Sequence, residues 1–340
     1  MILRHGTMPV MLKSKKFWGI AASFLFLLLA LQKVELEKIP EILAGLKYQY
    51  FFLMCISYTF EHLIRGVRWQ LILSGRAMSF KHAYFGIVLG YLFNNLFPAR
   101  AGEFLRAFYL KKKKIAPAGE AFGSVVFERF LDGIVIVALI VFLLHNFTVT
   151  PMIRKASFTA LVFYCLVLFA ILILQFRRSL FEKITDKIFS IFPVRLSTFF
   201  NSIRKSFIDG LGLIGQPFIL VQAIVVSFVA WAFSILTVWL CLQMFSFNMG
   251  VAEAILLISV LSIGSMIPSS PGMIGVYEFC CVLVINGMLN LSPELAATFG
   301  LISHSVGYLY VLGAGFIVLA IEGLKFSDLR QKESEEFAAN

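Results

Sequence analysis

Long apolar runs alternate with short polar interruptions along this chain, and the lengths of the runs set the first expectation. Uninterrupted apolar stretches fall near 17–31, 48–73, 121–145, 156–176, 217–245 and 294–322. Most reach the ~20 residues that a helix needs to cross a ~30 Å hydrocarbon layer. Two further regions, near 83–110 and 251–290, are apolar but interrupted by Pro, Gly and polar clusters. Between 177 and 210, basic residues mix with Phe and Ile in the manner of an amphipathic helix lying at a membrane surface. The pattern predicts an all-α polytopic membrane protein. It has a short N-terminal segment (1–16), a transmembrane helical bundle (17–322) and a short tail (323–340).

Composition strengthens this reading. Of 340 residues, 59% are hydrophobic and 14% charged, where a soluble domain carries about 25% charged residues. The formal net charge of +11 comes from Lys and Arg gathered between apolar runs. That placement fits the positive-inside rule and anionic head groups rather than nucleic acid. Cys55, Cys165, Cys241, Cys280 and Cys281 all lie within apolar runs without a CxxC pair, and read as packing residues. The first run is followed by "LLALQKVE", which offers no small-x-small cleavage site, so an uncleaved first helix is expected. Lys and Arg counts place both termini in the cytoplasm of a cell with its bundle in the plasma membrane.

The stretch "LFNNLFPARAGEFLR" (92–106) bears on topology. If the preceding segment crossed completely, Lys111–Lys114 would fall on the outer face, against the strongest topological rule available. Both difficulties, the lysines and the shortness of the segment, vanish if the chain enters from the cytoplasm, turns near the midplane and returns. Region 83–110 is therefore expected to be a re-entrant hairpin broken at Pro98 and Gly102, with Asn94 and Asn95 satisfying freed backbone groups. In region 251–290, "MIPSSPGMIGVYEF" has no Lys or Arg, which points to a second hairpin entering from the outer face and broken at Pro268, Pro271, Gly272 and Gly275. Two opposed hairpins are the arrangement of transporters built on inverted repeats.

Charged residues at membrane depth are functional candidates, because each costs at least ~2.5–3.5 kcal/mol at a helix centre. Arg100, Glu103 and Arg106 surround the first break. They either neutralise one another or bind an anionic head group, with Arg100 and Arg106 on phosphate. Glu278 either caps its own helix, exchanges protons or meets a cationic head group. Glu128, Arg129 and Asp132 lie on or beside one helix face and serve an ion-pair network or a ligand. Arg65 and Arg68 are expected to snorkel towards head groups, with Trp69 as an interfacial anchor. His304 and Tyr308, four apart, read as helix packing. No Walker A, HExxH, GxSxG or dinucleotide motif is present, so no cofactor or metal is expected.

The stretches "RGVRW", "NNLFPARAGEFLR", "ERFLD" and "PSSPGMIGVYE", in this order, resemble the motifs of the flippase-like integral membrane family, the transmembrane region of lysylphosphatidylglycerol synthase/flippase proteins. The resemblance implies a helical bundle with re-entrant segments that moves lipids between leaflets. It points to Arg100, Gly102, Glu103 and Arg106 in the first motif, and to Pro271, Gly272, Gly275 and Glu278 in the second. Two-domain members continue into a soluble aminoacyl-transferase domain and this sequence does not, so no lipid-modifying activity is carried over. The expectation is a translocase for a phospholipid or polyprenyl-linked lipid. The rivals are an intramembrane lipid-phosphate transferase using Glu103, Glu128 and Asp132, and a membrane partner of a separately encoded lipid-modifying enzyme. The lipid and the oligomeric state are not legible.

Overall fold

The computed structural model describes residues 15–97, 100–176, 178–191, 201, 216–267 and 269–324. Expectations that fall on Pro98, on Pro268, on the N-terminal segment before Lys15, on the tail beyond Leu324 and on much of 177–210 lie outside the described residues.

Twelve α-helices occur among the described residues, and no strand. They are α1 (Lys15–Leu31), α2 (Ile39–Ala44), α3 (Gln49–Ile72), α4 (Phe80–Leu96), α5 (Ala101–Lys112), α6 (Ala118–Asn146), α7 (Pro151–Phe176), α8 (Arg178–Phe189), α9 (Pro217–Met244), α10 (Val251–Gly264), α11 (Val276–Ile285) and α12 (Pro293–Glu322). Each of the six uninterrupted apolar runs became one long helix. α9 and α12 are each long and apolar enough to cross a membrane by length and composition. Local signals set their starts: Ser79 and Ser292 accept from the backbone N–H three residues on, and Pro217 and Pro293 stand in the first helical turn. Helix α2, between the first two apolar runs, was not anticipated. Helix α8 begins the predicted amphipathic segment, and its apolar Ile184 and Ile188 are exposed.

Each interrupted region became a pair of short helices folded back on one another. In the first pair, Gly90 of α4 lies against Gly102 and Arg106 of α5, and the ring of His82 near the start of α4 faces Tyr109 near the end of α5 at 6.3 Å. Lys81 and Lys113, at the two feet of this hairpin, both pair with Glu322 at the end of α12. One foot of the second hairpin, the end of α11, lies at the opposite end of α12, where Ile285 leads through Leu291 into Pro293. Thirty residues of α12, about 45 Å at 1.5 Å each, separate this foot from those of the first hairpin. The hairpins are opposed.

The packing repeats itself. α3 lies along α9, the most extensive helix–helix contact in the molecule. In α3–α6 and again in α9–α12, each helix packs on the next, and the first also meets the fourth. Across the two sets, α4 packs on α12 as α10 packs on α6, and α6 meets α9 as α12 meets α3. α1 covers α11, and α7 covers α6 and α10. The outer surface is apolar: Phe52, Phe158, Phe169, Phe218, Leu309 and Ile317 are all exposed, as expected where lipid is the solvent.

The hairpin depends on two glycines. A Cβ on Gly102 would overlap the Gly90 carbonyl and stand 2.8 Å from Asn94 Oδ1, whereas a Cβ on Gly313 meets nothing within 4 Å. Gly102→Leu is therefore expected to destabilise the protein by about 1–3 kcal/mol or more through overpacking, and Gly313→Leu by no more than about 0.5 kcal/mol. Thermal melts in mild detergent, read by size-exclusion chromatography, compare the two.

Candidate functional site

Two polar clusters stand where the broken helices meet the long ones. The first joins α3, α5, α6 and α9. Helical spacing puts Glu61, Arg65 and Arg68 on one stripe of α3, and Glu128 and Asp132 on one face of α6. Arg68 is 0% exposed and is held from three sides. Its Nη1 donates to Asp132 Oδ1 at 2.6 Å and to Ser227 Oγ at 3.1 Å, and its Nη2 donates to Glu128 Oε1 at 3.2 Å. The other oxygen of Glu128 pairs with Arg106 of α5, whose guanidinium lies 4.1 Å from the centre of the Trp69 ring. Asp132 also accepts from Trp231 Nε1 at 3.0 Å and faces Arg65 at 3.5 Å and Arg129 at 3.4 Å. Arg65 is paired to Glu61 at 2.9 Å. Arg129 approaches Glu103 at 3.8 Å.

The ledger of charge is even: Arg65, Arg68, Arg106 and Arg129 against Glu61, Glu103, Glu128 and Asp132. Neutrality is what makes such a cluster tolerable away from water, since an unpaired buried charge is far more costly than a paired one. Three expectations change here. Arg65 and Arg68 do not snorkel but are buried at the centre of the bundle. Trp69 is not an interfacial anchor; it is 0% exposed and donates to Ser124 Oγ at 2.9 Å. Arg106 is buried, paired and stacked, so its guanidinium braces α5 against α6.

The second cluster joins the tips of the hairpins to α12. Asn94 Oδ1 accepts from Gly102 N at 2.9 Å and so caps α5 in the place of the missing turn. Arg100 takes a left-handed conformation (φ 54°) and reaches across to donate to the Ser265 carbonyl at 2.9 Å, capping the C-terminal end of α10. On the second hairpin, Gly272 (φ 68°) and Gly275 (φ 89°) make the break. A side chain on Gly272 would strike Tyr308, and one on Gly275 would strike the Ser23 backbone of α1. Glu278 Oε2 accepts from Gly275 N at 2.6 Å. His304 spans the break, with Nδ1 at 2.6 Å from Glu278 Oε1 and Nε2 at 2.8 Å from the Gly272 carbonyl. Tyr308 then donates to the Asn95 carbonyl of the first hairpin at 3.0 Å. His304 and Tyr308 thus do more than pack: they tie both breaks to one helix. Pro271 opens a single 3-10 turn (Pro271–Met273) that rests on α4.

Arg100 is exposed and, among the described residues, has no carboxylate partner. Of the arginines in the charged cluster, Arg129 is the most open, its side chain 37% exposed. Arg100 and Arg129 are thus the accessible cations of the region beside the hairpins. Two surface grooves, one along α3 and α12 beside Phe51 and Leu309 and one beside Arg154 and Lys155, lie apart from it. Ser23, Ser227, Trp231 and Ser265 carry parts of this architecture that the sequence did not single out, because each meets a partner far along the chain.

An all-helical bundle with an apolar exterior, broken helices and internal charge defines an α-helical membrane protein. Residues 16–315 match the family described as lysylphosphatidylglycerol synthase TM region, and the chain belongs to that family. It is 28% identical over 321 residues to the UPF0104 membrane protein MJ1595 of Methanocaldococcus jannaschii, which covers 88% of this chain and 92% of that protein. It is 24% identical over 283 residues to a UPF0104 membrane protein of Methanothermobacter thermautotrophicus, covering 77% of this chain and 82% of the relative. No solved structure matches. Membership supports a lipid-related role in a membrane.

Removing Arg68 leaves Glu128 and Asp132 short of a buried partner. Arg68→Ala is expected to destabilise by about 3–5 kcal/mol, the range for breaking a buried ion pair. Arg76→Ala, which removes an exposed pair with Glu120, is expected to change stability by about 1 kcal/mol or less. Thermal melts in the same detergent give both values.

Proposed function

We propose that the protein moves a lipid with an anionic head group between the leaflets of a cell membrane. The two hairpins are read as re-entrant, the first entering from the cytoplasmic face and the second from the outer face. The lysines at the feet of the first hairpin and the lack of Lys or Arg in the second break support this orientation, which also puts both termini in the cytoplasm. The observation that carries the reading is the meeting of the opposed hairpins at an exposed arginine. Arg100 spends one donor on Ser265, and a guanidinium has five. The others are left to take a phosphate bidentately, and Arg129, though it faces Glu103 and Asp132, is the more exposed arginine of the charged cluster.

Chemically, the head group passes along the polar junction while its acyl chains stay against the apolar exterior. Arg106, expected as a phosphate ligand, instead holds the returning helix in place, and Arg129 supplies the second accessible cation. Glu103 orients Arg129. Exposure of the junction first to one side and then to the other follows if the two hairpins shift against the paired α3 and α9, as in transporters with repeated halves. The family description names lysylphosphatidylglycerol, whose head group contains a phosphate, the group that Arg100 would take.

The test is translocation of fluorescent phosphatidylglycerol in reconstituted vesicles of phosphatidylcholine and phosphatidylglycerol, read by quenching from outside. Each charge-assisted hydrogen bond lost is worth about 1.5–3 kcal/mol, so Arg100→Ala and Arg129→Ala are each expected to slow transfer about tenfold or more, at about 1.4 kcal/mol per tenfold. An unchanged rate in the folded double variant would exclude both arginines from the path.

A further inference from the structure

We propose that Glu278 and His304 form a proton-binding site, occupied by one exchangeable proton, that locks the second hairpin to α12. The ligand is a proton, and the argument starts from the two partners of one imidazole. His304 Nε2 stands 2.8 Å from the carbonyl of Gly272. A carbonyl oxygen only accepts, so Nε2 carries a hydrogen. Nδ1 stands 2.6 Å from Glu278 Oε1. The other carboxylate oxygen accepts from Gly275 N at 2.6 Å, and Glu278 occupies the first turn of α11, where the helix dipole favours an ionised carboxylate. With the carboxylate ionised, the 2.6 Å contact requires a hydrogen on Nδ1 as well. The geometry is that of an imidazolium paired with a carboxylate, neutral as a pair.

Without the second proton, the Nδ1 lone pair would face the carboxylate at that distance, and one of the two ring contacts must be given up. Loss of the Nε2 contact frees the turn at Gly272 from α12, and loss of the Nδ1 contact frees Glu278 and the start of α11 from it. The same turn lies beside Tyr308, which holds Asn95 of the first hairpin. Release of the proton therefore loosens the junction of both hairpins.

The surroundings leave the pair on its own. Tyr277 stacks on the imidazole with ring centres 4.4 Å apart, and Tyr308 meets it edge-on at 6.1 Å. The other titratable groups on the packed elements are Cys280 and Cys281 of α11, which follow Glu278 on that helix, and Tyr58 of α3, whose hydroxyl lies against Gly307 of α12. All are neutral near pH 7. Ser23 of α1 and Asn95 of α4 reach the break without charge. The charged cluster on α3, α5 and α6 is a separate set, in which four carboxylates face four arginines.

The coupling of this proton to transport rests on the lipid-translocation reading, whereas the site itself does not. The test is nitrogen NMR of histidine-labelled protein in lipid nanodiscs, with His304→Asn to assign the signal and exposed His145 as the internal reference. At pH 7.5, His304 is expected to show hydrogen on both ring nitrogens. Glu278→Gln keeps an acceptor for Gly275 N, and is expected to abolish the Nδ1 hydrogen. A wild-type His304 with a single N–H at pH 7.5 overturns the proposal, whether or not the variant folds, and so does a folded Glu278→Gln protein that retains both hydrogens. The fluorescent phosphatidylglycerol assay between pH 5.5 and 8.5 separates the two ideas: a doubly protonated His304 in a protein that transfers no lipid at any pH keeps the proton site and removes the transport reading.

Discussion

A helix broken in the interior of a membrane protein leaves backbone N–H and C=O groups with no water to receive them, and the rest of this structure is arranged around that constraint. Among the described residues, six backbone groups at the two breaks have partners that the helices themselves do not supply. Asn94 receives the N–H of Gly102, Glu278 that of Gly275, and Ser23 of α1 that of Ser270. The carbonyls are met by Arg100 at Ser265, His304 at Gly272 and Tyr308 at Asn95. Three of these six contacts join one hairpin to the other or to α12. Satisfying the backbone and docking the hairpins are thus the same set of bonds.

The two hairpins are held by different chemistry. The first is braced by guanidinium groups: Arg106 ties α5 to Glu128, and Arg68 joins that glutamate to α3, Asp132 and α9. Such a brace keeps its charge at any physiological pH and is strong only while every member is paired. The second is held by an imidazole, a carboxylate and a phenol. The packing pattern of α3–α6 recurs in α9–α12, yet the charged residues do not. One half is fixed, and the other is built from groups that can change state.

The long helices were legible because apolar length is a direct record of membrane thickness. The runs read as 48–73, 217–245 and 294–322 end within a residue of α3, α9 and α12. Gly272 and Gly275 do stand at positive φ in the second turn, whereas the first hairpin turns at Arg100, and Gly102 lies within α5. The fates of Arg65, Arg68 and Trp69 were not legible. Snorkelling to a surface and burial in a network demand the same spacing on α3, and only the partners on α6 and α9 decide between them. Ser227 and Trp231 of α9 lie far along the chain from Arg68 and Asp132, so no local pattern announces them. Arg106 misled for a related reason: an arginine one turn from Glu103 looks available until the stacking on Trp69 and the pairing with Glu128 are seen. His304 and Tyr308 carry a helical spacing that packing alone would explain, and their function depends on a turn that lies 32 residues from His304.

The central claim is that two hairpins enter from opposite faces and meet inside the membrane. Single cysteines at Lys112, beside the feet of the first hairpin, and at Asn290, beside those of the second, report it directly in a variant lacking the five native cysteines. Sealed vesicles of known orientation are treated with a membrane-impermeant maleimide before and after permeabilisation. The account predicts that position 290 reacts only from the outer face and position 112 only from the cytoplasmic face. Labelling of both from the same face would contradict it.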